Sequence, residues 1–492
     1  MKTIFITTAV LLLSCCIHAQ HNENITIGKK EVIYSKALGE NRTVWIYTPG
    51  MTSPVITPGK KYPVLYILDG EAHFFATTGI IQQLSQANGN GVVPEMIVVG
   101  IENTNRFRDL VPSKDTKKVN PFADFLSAEL IPYINKHYPV APYKLLVGHS
   151  LGGLTAIDIL TTSPGLFNAY IAIDPSMWFD NEWFLNNVIN RLPQQKMNGE
   201  RLFIGIANTM PAGMTMAGLK KDKSGETAHI RSIVKLGTFL TANTNGLQYR
   251  QQYYEKERHN TVPLLSIYDG LRFIFDYYFL DAGEKDFADT TAAIAKRLQS
   301  HYAKVSAKMG YKNAAPETFV NYLAYDALVK KQYTKAEELF KLNKEWYPEN
   351  VSVYDAYAGY FLNRKDTLNA IGYYKKALLV KPDAVVQRKL DMLTMKENAV
   401  PAPVKLDQYA GVYILETYNI PIVLEMRNAQ LWAKVQGEDD DELEWLAENV
   451  FTVKGKQGYM ITFHMKDGKP AGFTSVQPNG TFKAIFSDKQ PE

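Results

Sequence analysis

Short apolar runs alternate with longer amphipathic stretches over residues 24–282 of this 492-residue chain. Runs of β-branched and aromatic residues bounded by turn residues are typical of strands, and helices show apolar residues at a period of about 3.6. Strands that alternate with helices indicate a mostly parallel sheet covered on both faces, the α/β class. Eight runs are candidate strands: VIYS (32–35), TVWIY (43–47), VLYILDG (64–70), MIVVGI (96–101), KLLVG (144–148), AYIAI (169–173), LFIGIA (202–207) and YRQQYY (249–254).

Two local patterns refine this first domain. The first two strands flank GEN (39–41), which predicts a hairpin, and PFADFLSAELIPYINKHY (121–138) has the periodicity of one long helix.

Residues 286–398 form a second predicted domain, which is helical and contains an internal repeat. A spacing of 34 positions separates the equivalent residues, which is the tetratricopeptide period, in which each unit is a pair of helices. Because two units are few for a repeat domain, we expect them to pack against a neighbouring domain. The alternative is a helical linker without a true repeat. The repeated pairs are Ala336 with Ala370, Phe340 with Tyr374, and Pro348 with Pro382.

A third predicted domain, residues 402–492, follows the proline-marked linker PAPV (401–404). Apolar and polar side chains alternate here between turn dipeptides, which predicts an antiparallel β module, with a small barrel as its candidate form. Its single histidine, His464, lies in an alternating strand, where a solvated or packed role is expected rather than metal ligation.

The first nineteen residues have the layout of a secretion signal, with Lys2 followed by an apolar stretch and then small residues. Two readings remain open. Cleavage before Gln20 predicts a periplasmic or secreted protein, whereas the segment ending at Cys15 resembles a bacterial lipobox and predicts a lipid anchor at the cell envelope. Both cysteines of the chain, Cys15 and Cys16, lie in this leader, so no disulfide and no cysteine nucleophile are expected in the exported protein.

The overall charge is small for a chain of this length. A formal net charge of +4 without long blocks of one sign gives no reason to expect a nucleic-acid partner.

The sequence LLVGHSLGG (145–153) carries the strongest chemical signal. Gly148, Ser150 and Gly152 form a G-x-S-x-G nucleophile elbow, in which a sharp strand-to-helix turn exposes the serine at the edge of the sheet. Glycines on either side of the serine prevent collisions within that turn. The preceding strand and the following helical segment fit this motif, and Ser150 is therefore the predicted nucleophile.

The general base must follow the serine in this type of fold. Two histidines lie between Ser150 and the end of the predicted sheet domain. His229 falls in a helical pattern, which favours a surface or packed role, whereas His259 follows the last candidate strand in a loop that can reach back over the sheet. His259 is the predicted base.

The triad acid is less clearly marked. Its role is to orient the imidazole and stabilise its charged form from a loop between the serine and the histidine. After LFIGIA the first carboxylates are Asp222 and then Glu226, whereas Asp174 ends the preceding strand. Asp222 is the predicted triad acid, with Asp174 and Glu226 as alternatives. Glu257 is predicted to be a solvated loop charge.

Two backbone amides are candidates for the oxyanion hole. One is the N–H of Leu151, directly after the nucleophile, and the other is the N–H of Glu71, in the loop after the third strand, where Gly70 allows a tight turn. The alternative reading of this LDG segment is a simple turn.

Several of these segments together resemble one known family. VLYILDGEAHF, NTNRFRDLVP, GHSLGG, IDPSMWF and the late histidine resemble the alpha/beta hydrolases of the esterase family that contains enterochelin-type siderophore esterases, S-formylglutathione hydrolase, and feruloyl and acetyl-xylan esterases. The resemblance covers roughly residues 30–280 and implies the alpha/beta-hydrolase fold, Ser150 as nucleophile, His259 as base, and the Glu71 and Leu151 amides as oxyanion donors. One departure is the neutral segment PAGMT (211–215), where relatives often carry acidic residues, so the acid stays open.

Three further residues are candidates for substrate binding. Arg106 and Arg108 can pair with an anionic substrate, although an internal ion pair with Asp109 is an equal alternative. Trp178 follows a strand and can stack on an aromatic or sugar ring, or else pack against the core.

These observations predict a secreted serine carboxylic ester hydrolase that needs no metal or organic cofactor. The expected substrate is a small-molecule or oligosaccharide ester, with siderophore esters and plant-polysaccharide acyl esters as the candidate classes. One alternative is acyl transfer by the same residues. The other is a non-catalytic scaffold, in which the helical repeats and the β module bind a protein partner.

Overall fold

The computed structural model describes residues 25–49, 60–86, 91–114, 120–394, 405–477 and 480–487. The predicted leader and its lipidation candidate Cys15 lie outside these residues. Within the part of the chain that the structure describes, no helix is both long enough and apolar enough to cross a membrane.

All eight candidate strands are present and form one sheet in the order β1-β2-β4-β3-β5-β6-β7-β8. The β1–β2 hairpin is antiparallel and β2 is antiparallel to β4, whereas the remaining neighbours are parallel. The predicted α/β class is therefore confirmed. The strands are β1 (Lys29–Ser35), β2 (Glu40–Tyr47), β3 (Tyr62–Leu68), β4 (Ile97–Ile101), β5 (Val140–His149), β6 (Ala169–Ile173), β7 (Arg201–Ala207) and β8 (Gln248–Tyr254).

Helices cover both faces of this sheet, which is why its central strands are apolar on both sides. Alternate residues of β3, such as Ile67 and Tyr66, belong to separate cores on the two faces. The helices of this region are α1 (Gly70–Gln86), α2 (Arg106–Leu110), α3 (Pro121–Asp124), α4 (Ile131–His137), α5 (Leu151–Thr162), α6 (Trp183–Arg191), α7 (Met216–Leu219), α8 (Ala228–Ala242) and α9 (Val262–Ile274).

The helix predicted over 121–138 is not continuous. A π-helical turn, Phe125–Leu130, separates α3 from α4, and the Ile131 N–H bonds to the carbonyl of Leu126, five residues earlier. Pro132 explains the wider turn, because it has no N–H and its ring clashes with the carbonyl four residues before it.

The helical region begins beyond the sheet domain and repeats itself in structure. Two successive pairs of helices begin 34 residues apart: the first helix of each pair begins at 317 and 351, and the second at 333 and 367. This period matches the predicted repeat, although its tetratricopeptide assignment stays a prediction. The helices are α10 (Glu284–Ala288), α11 (Ala293–Met309), α12 (Glu317–Val329), α13 (Tyr333–Trp346), α14 (Val351–Asn363), α15 (Thr367–Val380) and α16 (Ala384–Thr394).

These helices share a core with the sheet domain. Ile267 and Leu271 of α9 belong to the same buried cluster as Leu298 of α11 and Phe340 of α13. The expectation that two repeat units need a neighbour is therefore met by continuous apolar packing.

The last region is the predicted antiparallel β module, and its eight strands close into a barrel, the candidate form. Its interior is filled by aromatic and aliphatic side chains, among them Tyr413, Phe463 and Phe473. His464 is exposed, with Nε2 2.7 Å from Thr474 Oγ1 on the neighbouring strand. The strands are β9 (Gly411–Leu415), β10 (Ile420–Arg427), β11 (Gln430–Val435), β12 (Asp441–Ala447), β13 (Val450–Val453), β14 (Lys456–Lys466), β15 (Lys469–Gln477) and β16 (Gly480–Ser487).

The turn from β5 into α5 has the backbone of a nucleophile elbow. Ser150 has φ 58° and ψ −113°, a conformation that side-chain-bearing residues adopt at a cost. A Cβ on Gly148 would lie 2.1 Å from the carbonyl oxygen of Gly152, so the strand and helix can approach this closely only with glycine there. A Cβ on Gly152 would meet Asp69 Oδ2 at 3.3 Å, a milder conflict.

We expect Gly148→Ala to lower the thermal midpoint of the sheet domain by about 5–10 °C, because the new methyl group forces backbone apart at a cost of about 2–3 kcal/mol. Gly79→Ala is the matched control, since Gly79 is an exposed position in α1 with no atom near the added Cβ. Gly79→Ala should raise the free energy of unfolding by about 0.5–1 kcal/mol. Calorimetry of both variants would contradict the packing argument if the two midpoints were equal.

Candidate active site

Ser150 lies at the carboxyl edge of the sheet, where its backbone is tied to the next strand. Its N–H donates to the carbonyl of Ile173 at 2.9 Å, and its own carbonyl accepts from the N–H of Ser176 at 3.0 Å. Its hydroxyl oxygen lies 3.1 Å from Ser176 Oγ, the one side-chain partner that the described residues provide. The hydroxyl is therefore held by a second serine rather than by a histidine.

His259 lies in the loop between β8 and α9, as expected, and its ring is oriented by a carboxylate. His259 Nδ1 is 2.6 Å from Asp174 Oδ2. Because a carboxylate oxygen accepts, Nδ1 carries the proton and Nε2 is left with a free lone pair. Ser150 and His259 line the same hollow of about 350 Å³, together with Ser176 and Trp178. An imidazole and a serine hydroxyl thus face one cavity.

Asp174 is the first residue after β6, and its side chain is fully buried. Its backbone has φ 41°, its N–H donates to Gly205 at 2.8 Å, and its Oδ1 accepts from the N–H of Ala207 at 3.0 Å. Burial by itself would raise the pKa of this carboxyl, but hydrogen bonds from His229 and His259 lower the pKa well below its usual value. Asp174 therefore keeps its charge inside the protein.

Asp222, the acid chosen from the sequence, does not lie beside His259. Its carboxylate accepts from Ser224 Oγ at 2.7 Å and from the hydroxyl of Thr227, and it pairs with Arg231 at 3.1 Å. These contacts brace the turn that leads into α8. The structure thus corrects the choice of carboxylate to Asp174, and Glu226, the other alternative, lines the hollow as an exposed residue without contacting the base.

His229, for which the sequence favoured a surface or packed role, lies beside Asp174. It is the second residue of α8, and its Nε2 lies 2.8 Å from Asp174 Oδ2, the same oxygen that His259 contacts. The two imidazole rings are 5.2 Å apart and almost perpendicular. Asp174, His229 and His259 form a group whose ligand atoms lie within 4.8 Å of one another and can hold a metal ion. A helical periodicity cannot reveal which strand end the helix will face.

His149, inside the elbow, supports the loop that carries the base. Its Nε2 is 2.8 Å from the carbonyl oxygen of His259 and therefore donates to it. Burial lowers the pKa of His149 to about 4, with further lowering from His259 and His73. The ring is thus neutral at neutral pH and fixes the backbone of the base.

The loop that carries Glu71 packs against the elbow. Asp69 pairs with Arg106 through two bonds of 2.7 and 2.9 Å, and Arg106 also donates to the carbonyl of His149 at 3.3 Å. Glu71 is the second residue of α1 and Leu151 is the first residue of α5, and N–H groups in the first turn of a helix have no intrahelical acceptor. Both amides therefore remain the predicted oxyanion donors.

The three predicted substrate-binding residues occupy different surroundings. Arg106 lines a second hollow of about 540 Å³ beside the elbow, but its guanidinium is already bonded to Asp69. Arg108 lies in neither hollow; it pairs with Glu40 and Asp109, so the internal ion-pair alternative holds for it. Trp178 is 45% exposed and forms part of the hollow that contains Ser150.

Comparison with known proteins agrees with this fold. The profile of the Putative esterase family matches residues 35–232, which lie within the sheet domain and within the range of the resemblance stated from the sequence. Ferri-bacillibactin esterase BesA of Bacillus subtilis is 29% identical over 205 residues, which are 37% of this chain and 70% of that protein. The siderophore triacetylfusarinine C esterase of Aspergillus fumigatus is 29% identical over 136 residues, 24% of this chain and 46% of that protein. The sheet domain is thus similar in sequence to proteins named as siderophore esterases.

Two solved structures extend the comparison. An IroE-like serine hydrolase from Shewanella oneidensis is 27% identical, with a TM-score of 0.53, and the match covers 65% of this chain and 99% of that chain. An uncharacterised protein from Capnocytophaga ochracea is 18% identical, with a TM-score of 0.50 over 74% of this chain and 99% of that chain. The second likeness concerns the fold alone.

The pKa of His149 predicts an acid-sensitive stability. Between about pH 6.5 and pH 4 the unfolded chain protonates this histidine and the folded chain does not, so folding is disfavoured as pH falls. Between pH 7 and pH 5 the contribution of this residue should lower the free energy of unfolding by about 2 kcal/mol. His149→Gln should abolish that part of the loss in urea unfolding at the two pH values, while His137→Gln, at an exposed position, controls for loss of a histidine. An unchanged pH dependence in His149→Gln would contradict this account.

The two carboxylates can be separated by a pair of matched variants. Asp174→Asn should lower kcat for hydrolysis of a chromogenic short-chain ester by about 10⁴, because the imidazole loses the acceptor that sets its tautomer. Asp222→Asn should leave kcat within about twofold, since that side chain braces a turn. A larger loss of kcat in Asp222→Asn than in Asp174→Asn would instead favour Asp222 as the acid.

Proposed function

We propose that this protein is an exported serine ester hydrolase that cleaves siderophore esters, with Ser150 as nucleophile, His259 as general base and Asp174 as the acid. The observation that carries this proposal is the 2.6 Å bond between His259 Nδ1 and Asp174 Oδ2, with His259 and Ser150 on one cavity. It leaves the other imidazole nitrogen available for the serine proton.

The first half of the reaction forms an acyl-enzyme. Rotation of the Ser150 side chain moves its hydroxyl from Ser176 toward His259 Nε2, a rearrangement common when substrate enters a resting site. Ser150 Oγ attacks the ester carbonyl carbon while His259 takes the hydroxyl proton. The carbon–oxygen ester bond then breaks, and the departing alcohol receives that proton from His259.

The second half releases the acid. Water attacks the acyl carbon and gives a proton to His259, which returns it to Ser150 as the acyl bond breaks. In both halves the carbonyl oxygen becomes an oxyanion that the N–H groups of Leu151 and Glu71 stabilise. Loss of one such donor costs about 10² to 10³ in kcat.

Space on both sides of the elbow supports a substrate with bulky groups on both sides of the ester. The hollow of about 350 Å³ offers the exposed ring of Trp178 for stacking on an aromatic group. The hollow of about 540 Å³ begins at His149, the residue before the nucleophile, and includes Glu71 and Leu264. Relatives named as siderophore esterases support the choice of substrate class.

Export is part of the proposal, and it rests on the leader pattern of residues 1–19. The choice between a free and a lipid-anchored form at Cys15 belongs to the same proposal, and mass analysis of the mature N-terminus distinguishes the two.

Hydrolysis of four ester classes by the purified protein tests both the reaction and the substrate. The panel is a catechol trilactone siderophore, a hydroxamate siderophore ester, a feruloyl ester and an acetylated sugar, each followed by chromatography of the released acid. We expect a siderophore ester to give the highest kcat/KM, and Ser150→Ala to lower kcat by about 10⁶.

Ser163→Ala, at the other end of α5, is the matched control and should retain the wild-type rate. Activity that survives in Ser150→Ala would remove the serine mechanism. Preference for the feruloyl or sugar ester would leave the mechanism and overturn the substrate class.

A further inference from the structure

Asp174 contacts one more histidine than a serine triad requires. A triad needs a single imidazole on its acid, and His259 fills that position. His229 brings a second ring nitrogen to the same carboxylate oxygen, at 2.8 Å. His229 has no part in the proposed reaction.

The three side chains offer the atoms that borderline divalent metals prefer. Two imidazole nitrogens and one carboxylate oxygen are a common donor set for Zn²⁺, which binds nitrogen and oxygen at about 2.0–2.2 Å. The nitrogen–oxygen distances of 2.6 and 2.8 Å mean that small movements would bring all three atoms onto one ion. Asp174, buried and ionised, supplies the negative charge.

A metal ion can reach this group from the cavity. His229 and His259 line the hollow of about 350 Å³, and their side chains are 17% and 34% exposed. The hollow has room for a water molecule as fourth ligand, as in zinc sites with three protein ligands. Each imidazole keeps one proton on binding, because the proton now on the nitrogen that faces Asp174 moves to the other ring nitrogen.

We propose that Asp174, His229 and His259 form an inhibitory site for a divalent transition metal of the Zn²⁺ type. With Nδ1 of His259 bound to the ion, its Nε2 carries the proton and cannot accept one from Ser150. The metal site itself depends only on the three side chains, whereas the inhibition rests on the proposed function.

Binding is tested without any enzyme activity, in the full-length Ser150→Ala protein treated with EDTA and then freed of it. Titration with Co²⁺, read by the visible absorption of a low-coordinate ion, and with Zn²⁺, read by calorimetry, should each give one site per chain. His229→Gln and His229→Asn in the same background should weaken binding by at least about 100-fold, since even outer-shell partners contribute 10- to 100-fold. His464→Gln, at an exposed histidine of the barrel, should bind like the parent. Thermal melts establish that each variant is folded.

Inhibition is tested in the wild-type serine background with a short-chain ester, each variant being compared with its own rate in EDTA. Zn²⁺ should inhibit the wild type and His464→Gln at the concentration that fills the site, and EDTA should restore the rate. His229→Gln should need at least about 100-fold more Zn²⁺.

Absence of binding in the Ser150→Ala protein, or equal binding after either His229 change, would overturn the metal site. Binding that depends on His229 without inhibition would overturn the inhibitory role. Binding that depends on His229 in a wild-type protein that hydrolyses no ester would support the metal site and overturn the proposed function.

Discussion

A single buried carboxylate holds the active-site region together. A charge inside a protein is tolerated only when hydrogen bonds replace its lost hydration, and Asp174 obtains them from the N–H of Ala207, from His259 and from His229. These partners come from the end of β7, the loop after β8 and the start of α8. The orientation of His259, the choice of which of its ring nitrogens carries the proton, and the position of His229 therefore all depend on one side chain.

The parallel arrangement of the central strands brings these groups to one edge. β3, β5, β6, β7 and β8 run in the same direction, so the residues that follow them meet at the carboxyl end of the sheet. Asp69, Ser150, Asp174 and His259 all occupy such positions. Hydrogen bonds from Arg106 to Asp69 and to the His149 carbonyl then join the loop after β3 to the elbow.

The helical region packs against the sheet domain, and the barrel packs against the helical region. The helical region continues the core beneath α9, and α16 contacts the barrel through Arg388, which donates to the carbonyl of Leu446 at 3.1 Å and lies over the ring of Trp445. The helical repeats thus bury apolar surface on the sheet domain, as a short repeat array requires for stability.

From the sequence alone we could predict the eight strands, the 34-residue helical repeat, the antiparallel β module and the elbow around Ser150, because these depend on local periodicity and on a glycine that only a tight turn requires. The loop position of His259 also followed from strand order. Tertiary packing was needed to show that Asp174 rather than Asp222 contacts His259, that His229 contacts the same carboxylate oxygen, and that Arg108 is bonded internally. Those contacts join residues 55 to 85 positions apart in the case of Asp174, and which side chains meet across such distances depends on how strands and helices pack, which no local pattern encodes.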